Sequence, residues 1–446
     1  MSERATASIP TAAERTLTRA GVEATSGALS EPAWARQRRL EAWDAFEVLP
    51  LPSVTHPEEW RRTDIGGLDV AAFTLVGGGQ PTAPPRDVAA IVGEAGDRAG
   101  LIVHADGRLA AAGLSAEAKA AGVIFTDLSA ASKDHQELVR DHLLSTVARH
   151  DEHKFRALHA ALWTGGTLLY IPKGVEVTLP LVAQTWLGVP AAALFPHALV
   201  IAEEGSKATL IDLYASIPTG ARTLAVGVTE LILRAGAQLR YVAFQEWGAP
   251  MWEVGSLIRA HLDRDATLNS LVVALGGGLV KVDVESQLLG AGATSEMLGL
   301  YFGTDRQHID FHTLQEHRAQ HTLSDLLYKG AVKDTARAVF AGLIRVDHGA
   351  QKTNAFQANR NLILSEGARS DSIPKLEIMA NDLRCTHGSA TSRLNEEHIF
   401  YLMSRGLSRE QATQMIVDGF FADVFDRIPM ERVRAHLQQK IAQKMV

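Results

Sequence analysis

From about Gly166 onward, tight turns of small residues punctuate the chain at a nearly constant distance. Gly174, Gly205, Gly236, Asp265 and Gly292 follow one another at spacings of 31, 31, 29 and 27 residues. A drifting period of this length marks a repeat architecture, in which no unit can bury its apolar face alone and each must stack on its neighbours. Further small-residue turns follow at His348-Gly349-Ala350 and Glu366-Gly367-Ala368. The runs between turns are short and β-rich, with no helical pattern among them, so stacked coils of a parallel β-helix are expected. Lys281-Val282-Asp283-Val284-Glu285 and His308-Ile309-Asp310-Phe311-His312 alternate polar and apolar strictly. Each should bury one face, with the valines, Ile309 and Phe311 lining the core. An antiparallel sandwich could alternate in the same way. It would more often show Asn-Gly or Asp-Gly hairpin turns, and those are confined here to Asp106-Gly107 and Asp418-Gly419.

The flanks read differently. Residues 1–30 are small and polar and are expected to be a flexible N-terminus. From Pro32 a helical pattern carries Trp34, Leu40, Trp43 and Phe46 and stops at Leu49-Pro50-Leu51-Pro52. A short helix start or turn is expected at residues 57–64 and a loop from Gly77 to Pro85. A strand and turn should follow at 101–107, and a return to helix over 128–162. Residues 31–163 thus form a mainly helical (α/β) region ahead of a β core over 164–394. Residues 395–446 read as a helical domain with helices near 396–405, 408–426 and 429–444. Ser408 and Gln411 have the spacing of a capping box, and Pro429 suits a first turn. The fold expected is mainly β: a right-handed parallel β-helix-like core between an N-terminal helical (α/β) region and a C-terminal helical domain.

A hydrophobic content of 46% and a charged content of 21% are those of a soluble globular protein. A formal charge of −7 argues against nucleic acid or an anionic membrane as partner. No apolar run approaches a membrane span, the first twenty residues lack the apolar core of a secretory signal, and a lone cysteine excludes an internal disulfide. A cytoplasmic location is expected.

That cysteine, Cys385, stands in Leu383-Arg384-Cys385-Thr386-His387-Gly388. In an extended strand, residues two apart share a face, so a thiolate and an imidazole could be presented together. Zinc and iron–sulfur sites normally take four ligands, so this pair would need the remainder from elsewhere. The plainer reading is a small buried hydrophobe. His308, His312, His317 and His321 resemble a metal set. However, His308 and His312 would lie about 13 Å apart along a strand, so outward-facing ladders are the better reading. Gly276-Gly277-Gly278 before Lys281 lacks the spacing of a phosphate loop, and no nucleophile elbow or zinc-protease motif occurs. No spacing singles out an acid/base pair.

Longer motifs carry a resemblance. Ala160-Ala161-Leu162-Trp163-Thr164-Gly165-Gly166 through Val175, Ser324-Asp325-Leu326-Leu327-Tyr328-Lys329-Gly330, Gln351-Lys352-Thr353-Asn354-Ala355 and Asn359-Arg360-Asn361-Leu362 occur in order. Pro374-Lys375-Leu376-Glu377-Ile378, Asn381 to Gly388, and Phe400-Tyr401-Leu402-Met403-Ser404-Arg405-Gly406 follow. From about Pro32 to the C-terminus the chain resembles the SufB/SufD family of iron–sulfur cluster assembly scaffolds. Cys-Thr-His-Gly is the SufD-type form of its segment. A SufB-type chain is expected to carry a functional cysteine in the region matching residues 361–371, where none occurs. Departures are Ser389-Ala390-Thr391-Ser392, in place of the usual Ala-Thr-x-Gly ending, and Asn381, where Asp is common.

The resemblance implies a non-catalytic subunit that pairs with SufB through the β core and docks the SufC ATPase through the C-terminal helices. Sulfur would come from a cysteine desulfurase system. It implies a transient iron–sulfur cluster at the shared interface and leaves open a reduced flavin in the complex and a homodimer of the isolated chain. His387 is the implied interface ligand or sulfur-handling group, and Cys385 a weaker candidate. Phe400, Met415, Ile416, Phe420 and Phe425 are the SufC-docking candidates, against simple packing on the β core. Two alternatives stand beside this: a β-helix enzyme acting on carbohydrate or acyl substrates, and a SufB-like homodimeric scaffold.

Overall fold

The computed structural model describes residues 15–77, 95–218 and 220–445. From the middle of the chain onward, successive strands alternate between two sheets, so that each coil contributes one strand to each. The first sheet runs β4 (Ile124–Asp127), β5 (Gly166–Ile171), β8 (His197–Ala202), β11 (Val228–Leu233), β13 (Met251–Leu262), β15 (Leu279–Leu288), β17 (His308–His317), β19 (Arg337–Val346) and β21 (Arg369–Ile378). The second runs β3 (Arg108–Leu114), β2 (Gly100–Ala105), β6 (Leu181–Leu187), β9 (Lys207–Ser216), β12 (Gln238–Glu246), β14 (Thr267–Ala274), β16 (Thr294–Gly303), β18 (Leu323–Val332), β20 (Asn354–Ile363) and β22 (Arg384–Arg393). Three short strands, β1 (Thr74–Leu75), β7 (Ala192–Leu194) and β10 (Thr223–Ala225), form a side ladder on the first sheet. The core is the β-solenoid that the turn period predicts.

The backbone explains that period. Gly174, Gly205, Gly236, Asp265 and Gly292 all adopt positive φ, between 57° and 77°. This is the left-handed region that Gly enters freely and Asp tolerates. His321 and Lys352 continue the series with φ of 59° and 63°. The later turns named from sequence, at Gly349 and Gly367, are not the left-handed corners.

Pairing from β15 to β22 is parallel and in register without a slip. The one shift within the coils lies between Val254 and Ser256 on β13. Gly255 sits there with φ +66°, and a Cβ on it would come within 2.7 Å of the Phe155 ring. The bulge therefore seats a helix as well as bending the strand.

Val282, Val284, Ile309 and Phe311 join the apolar interior between the sheets. The polar members of the same strands depart from expectation. Lys281 and Asp310 are buried and form an ion pair of 3.0 Å, because residues from Trp60 to Thr63 lie over them. Thr63 donates to Asp310 and lies 2.9 Å from Nε2 of His308.

Ahead of the coils, helices α1 (Arg19–Leu29), α2 (Ala33–Val48), α3 (Ala116–Ala120), α4 (Leu128–Asp134), α5 (Gln136–His142) and α6 (Lys154–Leu162) cover the outer face of the first sheet or plug its start. Residues 19–29, expected as part of a flexible N-terminus, are instead helical: Thr18 accepts from Gly21 N–H, and Val22 is buried. Residues 1–14 lie outside the described residues, as does the expected loop from Gly77 to Pro85 beyond Gly77. The span expected to be mainly helical also contributes strands, since β2 and β3 extend the second sheet.

After the coils come α7 (Glu396–Ser404), α8 (Arg409–Phe425) and α9 (Glu431–Met445). Ser408 and Gln411 make the reciprocal capping box. Val417, Phe421, Val424, Val433, Leu437 and Ile441 pack on the outer face of the second sheet. Buried Lys329 on β18 reaches out to Phe420 O and Asp423, each at 2.6 Å, and so ties α8 to the sheet.

Candidate interface site at the open end of the solenoid

The last coil is unsealed. Among the described residues β21 pairs only with β19 and β22 only with β20. Nearly every residue of β22 is exposed, although its ladder to β20 is complete over ten rungs. A strand edge with free N–H and C=O groups is a template for pairing with another chain.

Cys385 and His387 lie on this strand, opposite Ala355 and Gln357 of β20. Ala355 and Gln357 are buried, whereas their neighbours Asn354 and Phe356 are exposed. Alternate residues from Ala355 therefore face the interior, and their register partners Cys385 and His387 face the same way. The shared face expected from sequence is present, but the two environments differ. Cys385 is half-buried against Ile344, Val346, Ala350 and Ala355, and burial pushes its thiol above the usual range. Burial thus works against the thiolate form that a metal ligand takes. His387 is exposed, where no further coil covers the interior.

Among the described residues no group of three or more His, Cys, Asp or Glu is placed to hold one metal ion. His308, His312, His317 and His321 do not form a four-histidine metal set. His312 Nε2 lies 3.1 Å from Asp310 Oδ1. His317, expected on an outward ladder, is buried and bonds Thr322 Oγ1 at 2.7 Å and Ser324 Oγ at 2.8 Å. Its parity places it inside the coil, where burial lowers its pKa to about 4. His321 forms a corner.

Sequence reasoning missed the polarity of the interior behind His387. In the last coils the apolar lining gives way to Asn359, Asn361, Gln357, Ser370 and Ser372. Tyr301 donates to Asn361 and accepts from Asn359 at 3.2 Å, and Asn361 reaches Thr391 of β22 at 3.4 Å. The Gln357 amide and the Ser370, Ser372 and Tyr328 hydroxyls are buried without hydrogen-bond partners. Unspent donors and acceptors are thus present at the open end, as they are at other buried sites along the chain. Strand parity signals this pattern once the register is known.

The docking candidates separate by exposure. Phe400 is 73% exposed and Met415 53%, on α7 and α8. Ile416 and Phe420 are half-buried, and Phe425 is only 4% exposed and packs on the second sheet. Phe425 is spent on the chain's own fold and is unavailable to a partner. Met415 lines a groove of about 1000 Å³ with Lys333, Leu364, Arg409 and Met445. No described helix is long and apolar enough to cross a membrane.

Comparison with known proteins matches residues 186–420 to the family described as SUF system FeS cluster assembly, SufBD core domain. Residues 99–182 match the SufBD protein N-terminal region. The iron–sulfur cluster assembly protein SufD of Bacillus subtilis is 31% identical over 419 residues, covering 93% of this chain and 95% of that protein. An iron–sulfur cluster assembly SufBD family protein of Staphylococcus epidermidis is 28% identical, covering 94% and 91%. SufB of B. subtilis is 27% identical with the same coverage.

Proposed function

Because the chain belongs to the SufBD family of iron–sulfur cluster assembly proteins, we propose that it is the SufD-type scaffold subunit of a cytoplasmic SufB–SufC–SufD complex. The observation that carries this reading is the unsealed last coil, with His387 exposed on a free edge strand above a polar interior. A SufB chain pairing there would cover β21 and β22 and supply the ligands that Cys385 and His387 lack. The lack of any cysteine in residues 361–371 favours SufD over SufB.

In this reading the cluster is cargo, built transiently between the chains from iron and from sulfur passed on by a cysteine desulfurase system. His387 is the ligand or sulfur-handling group from this side. Cys385, half-buried against Ile344 and Val346, serves chiefly as packing. SufC carries the ATPase activity and docks on α7 and α8, where Phe400 and Met415 remain exposed. A reduced flavin would belong to the assembled complex.

Co-expression with SufB and SufC followed by affinity purification tests the reading. Recovery of the three chains together is expected. Recovery of this chain alone, with neither SufB nor SufC bound, would overturn it.

A further inference from the structure

Beneath the N-terminal helices, three buried side chains form a polar line that cluster assembly does not use. His159 of α6 places Nδ1 2.8 Å from Val226 O and Nε2 2.9 Å from His197 Nδ1 on β8. His197 Nε2 lies 3.2 Å from Glu230 Oε1 on β11, a close approach short of a formed hydrogen bond, and has no hydrogen-bond partner. Glu230 also accepts the backbone N–H groups of Leu144 at 2.7 Å and Ala148 at 3.1 Å, in the segment joining α5 to α6. All three side chains are out of contact with solvent.

Donor and acceptor chemistry sets the polarity of this line. A carbonyl oxygen only accepts, so His159 Nδ1 carries a hydrogen. The neutral ring then has a bare Nε2, so the hydrogen between the two imidazoles belongs to His197 Nδ1. A neutral His197 therefore turns a bare Nε2 towards Glu230, and a carboxylate oxygen also only accepts. Two acceptors facing each other in a dry site are unfavourable unless a proton lies between them. The proton count is the same whether the pair is written as carboxylic acid and imidazole or as carboxylate and imidazolium.

We propose that Glu230 and His197 hold one shared proton, which clasps the α5–α6 segment to the first coils and makes that attachment weaken as pH rises. The charged groups nearby are Arg38 and Arg39 from α2 and Arg259 from β13. Arg38 donates to Leu143 O and Arg140 O, and Arg39 is engaged by Glu31 and Ala161 O. Arg259 donates to Val147 O and is held by Glu152 and Glu285. The fields of Arg38 and Arg259 favour the carboxylate, but burial outweighs them and pushes Glu230 up to about 8. Burial lowers His197 to about 3 and holds His159 well below the usual histidine range.

An opened segment exposes Glu230 to water, where it ionises near its ordinary pKa of about 4.3. Between that value and about 8 the closed form binds a proton that the open form has lost. Opening should therefore grow by up to about tenfold per pH unit across this window and level off above it.

Hydrogen exchange of the full chain, corrected for intrinsic rates, reads the opening at the Leu144 and Ala148 amides. A rise with pH is expected in the native protein and a flat profile in Glu230→Gln. An amide nitrogen turned to His197 replaces the Oε1 that accepts Leu144 N–H, so the comparison is of pH slopes, read at Ala148, whose acceptor the amide oxygen retains. Nitrogen-15 NMR of histidine-labelled native protein gives a second reading that needs no variant. His197 Nε2 should be protonated or strongly hydrogen-bonded at pH 7 and change above pH 8. A bare Nε2 unaltered from pH 6 to 9, or equal pH slopes of opening in the native protein and Glu230→Gln, would overturn the proposal.

Discussion

The two ends of the solenoid are built on opposite plans. At the start, β4 pairs antiparallel with β5, and Ala118, Val123 and Phe125 fill the interior as a plug. At the finish, β21 and β22 continue the parallel register and leave their outer edges bare, over an interior lined by Gln357, Ser370 and Ser372. Reversing strand direction is one way to stop a coil from templating another, and side chains that close the lumen are a second. The chain uses both where it must be self-sufficient and neither where it does not end its own stack. The difference assigns stability to one end and association to the other.

Substitutions in the sealed part should therefore register in unfolding, and those at the open end in assembly. Asp310→Ala would strand the buried ammonium of Lys281. It should cost about 3–5 kcal/mol, read from chemical denaturation of the isolated chain. Burial holds His317 near pKa 4, below its unfolded value, so the unfolded chain binds the extra proton and stability is lost as pH falls from about 6.5 to 4. The term amounts to on the order of 3 kcal/mol. His153 and His261, lowered to about 4 by burial, act in the same window, so His317→Gln should reduce the pH dependence of the denaturation midpoint there without abolishing it. Gly330→Ala would push a Cβ to 1.8 Å from the Tyr301 ring, where the interior turns polar. A loss of about 1–3 kcal/mol is expected. Ser408→Ala removes half a capping box and should cost about 1 kcal/mol, seen as earlier melting of α8. His387→Ala should shift stability by less than about 0.5 kcal/mol. It should leave co-purification with SufB intact while lowering cluster yield; an unchanged yield would remove His387 from the site. A His387→Ala chain that unfolds as readily as Asp310→Ala would erase the distinction between the ends.

What could be read from the residues follows the same division. The coils were legible because five of their corners use Gly or Asp in a left-handed turn at a fixed period. His321 and Lys352 occupy equivalent corners yet carry no such signal, because the neighbouring coils hold them there. Lys281 and Asp310 alternated as solvent-facing residues should. Only a segment nearly 250 residues away, at Thr63, turns that face into an interior. At the candidate site, the i, i+2 relation of Cys385 and His387 was readable, but their unequal burial was not. That inequality comes from Ile344 and Val346 on one side and from the missing next coil on the other. The surplus of apolar residues on the C-terminal helices likewise overstated the free surface, since Phe421 and Phe425 cover the second sheet.

The unbroken register from β15 to β22 bears on how such a molecule can change over time. A single-residue insertion within a strand would turn inward residues outward along the rest of that strand. Gain or loss of one whole coil would leave every remaining rung matched. Length in this architecture can therefore vary in increments of about thirty residues, and the terminal coil can keep its partner-facing chemistry while the distance separating it from the plugged end is reset.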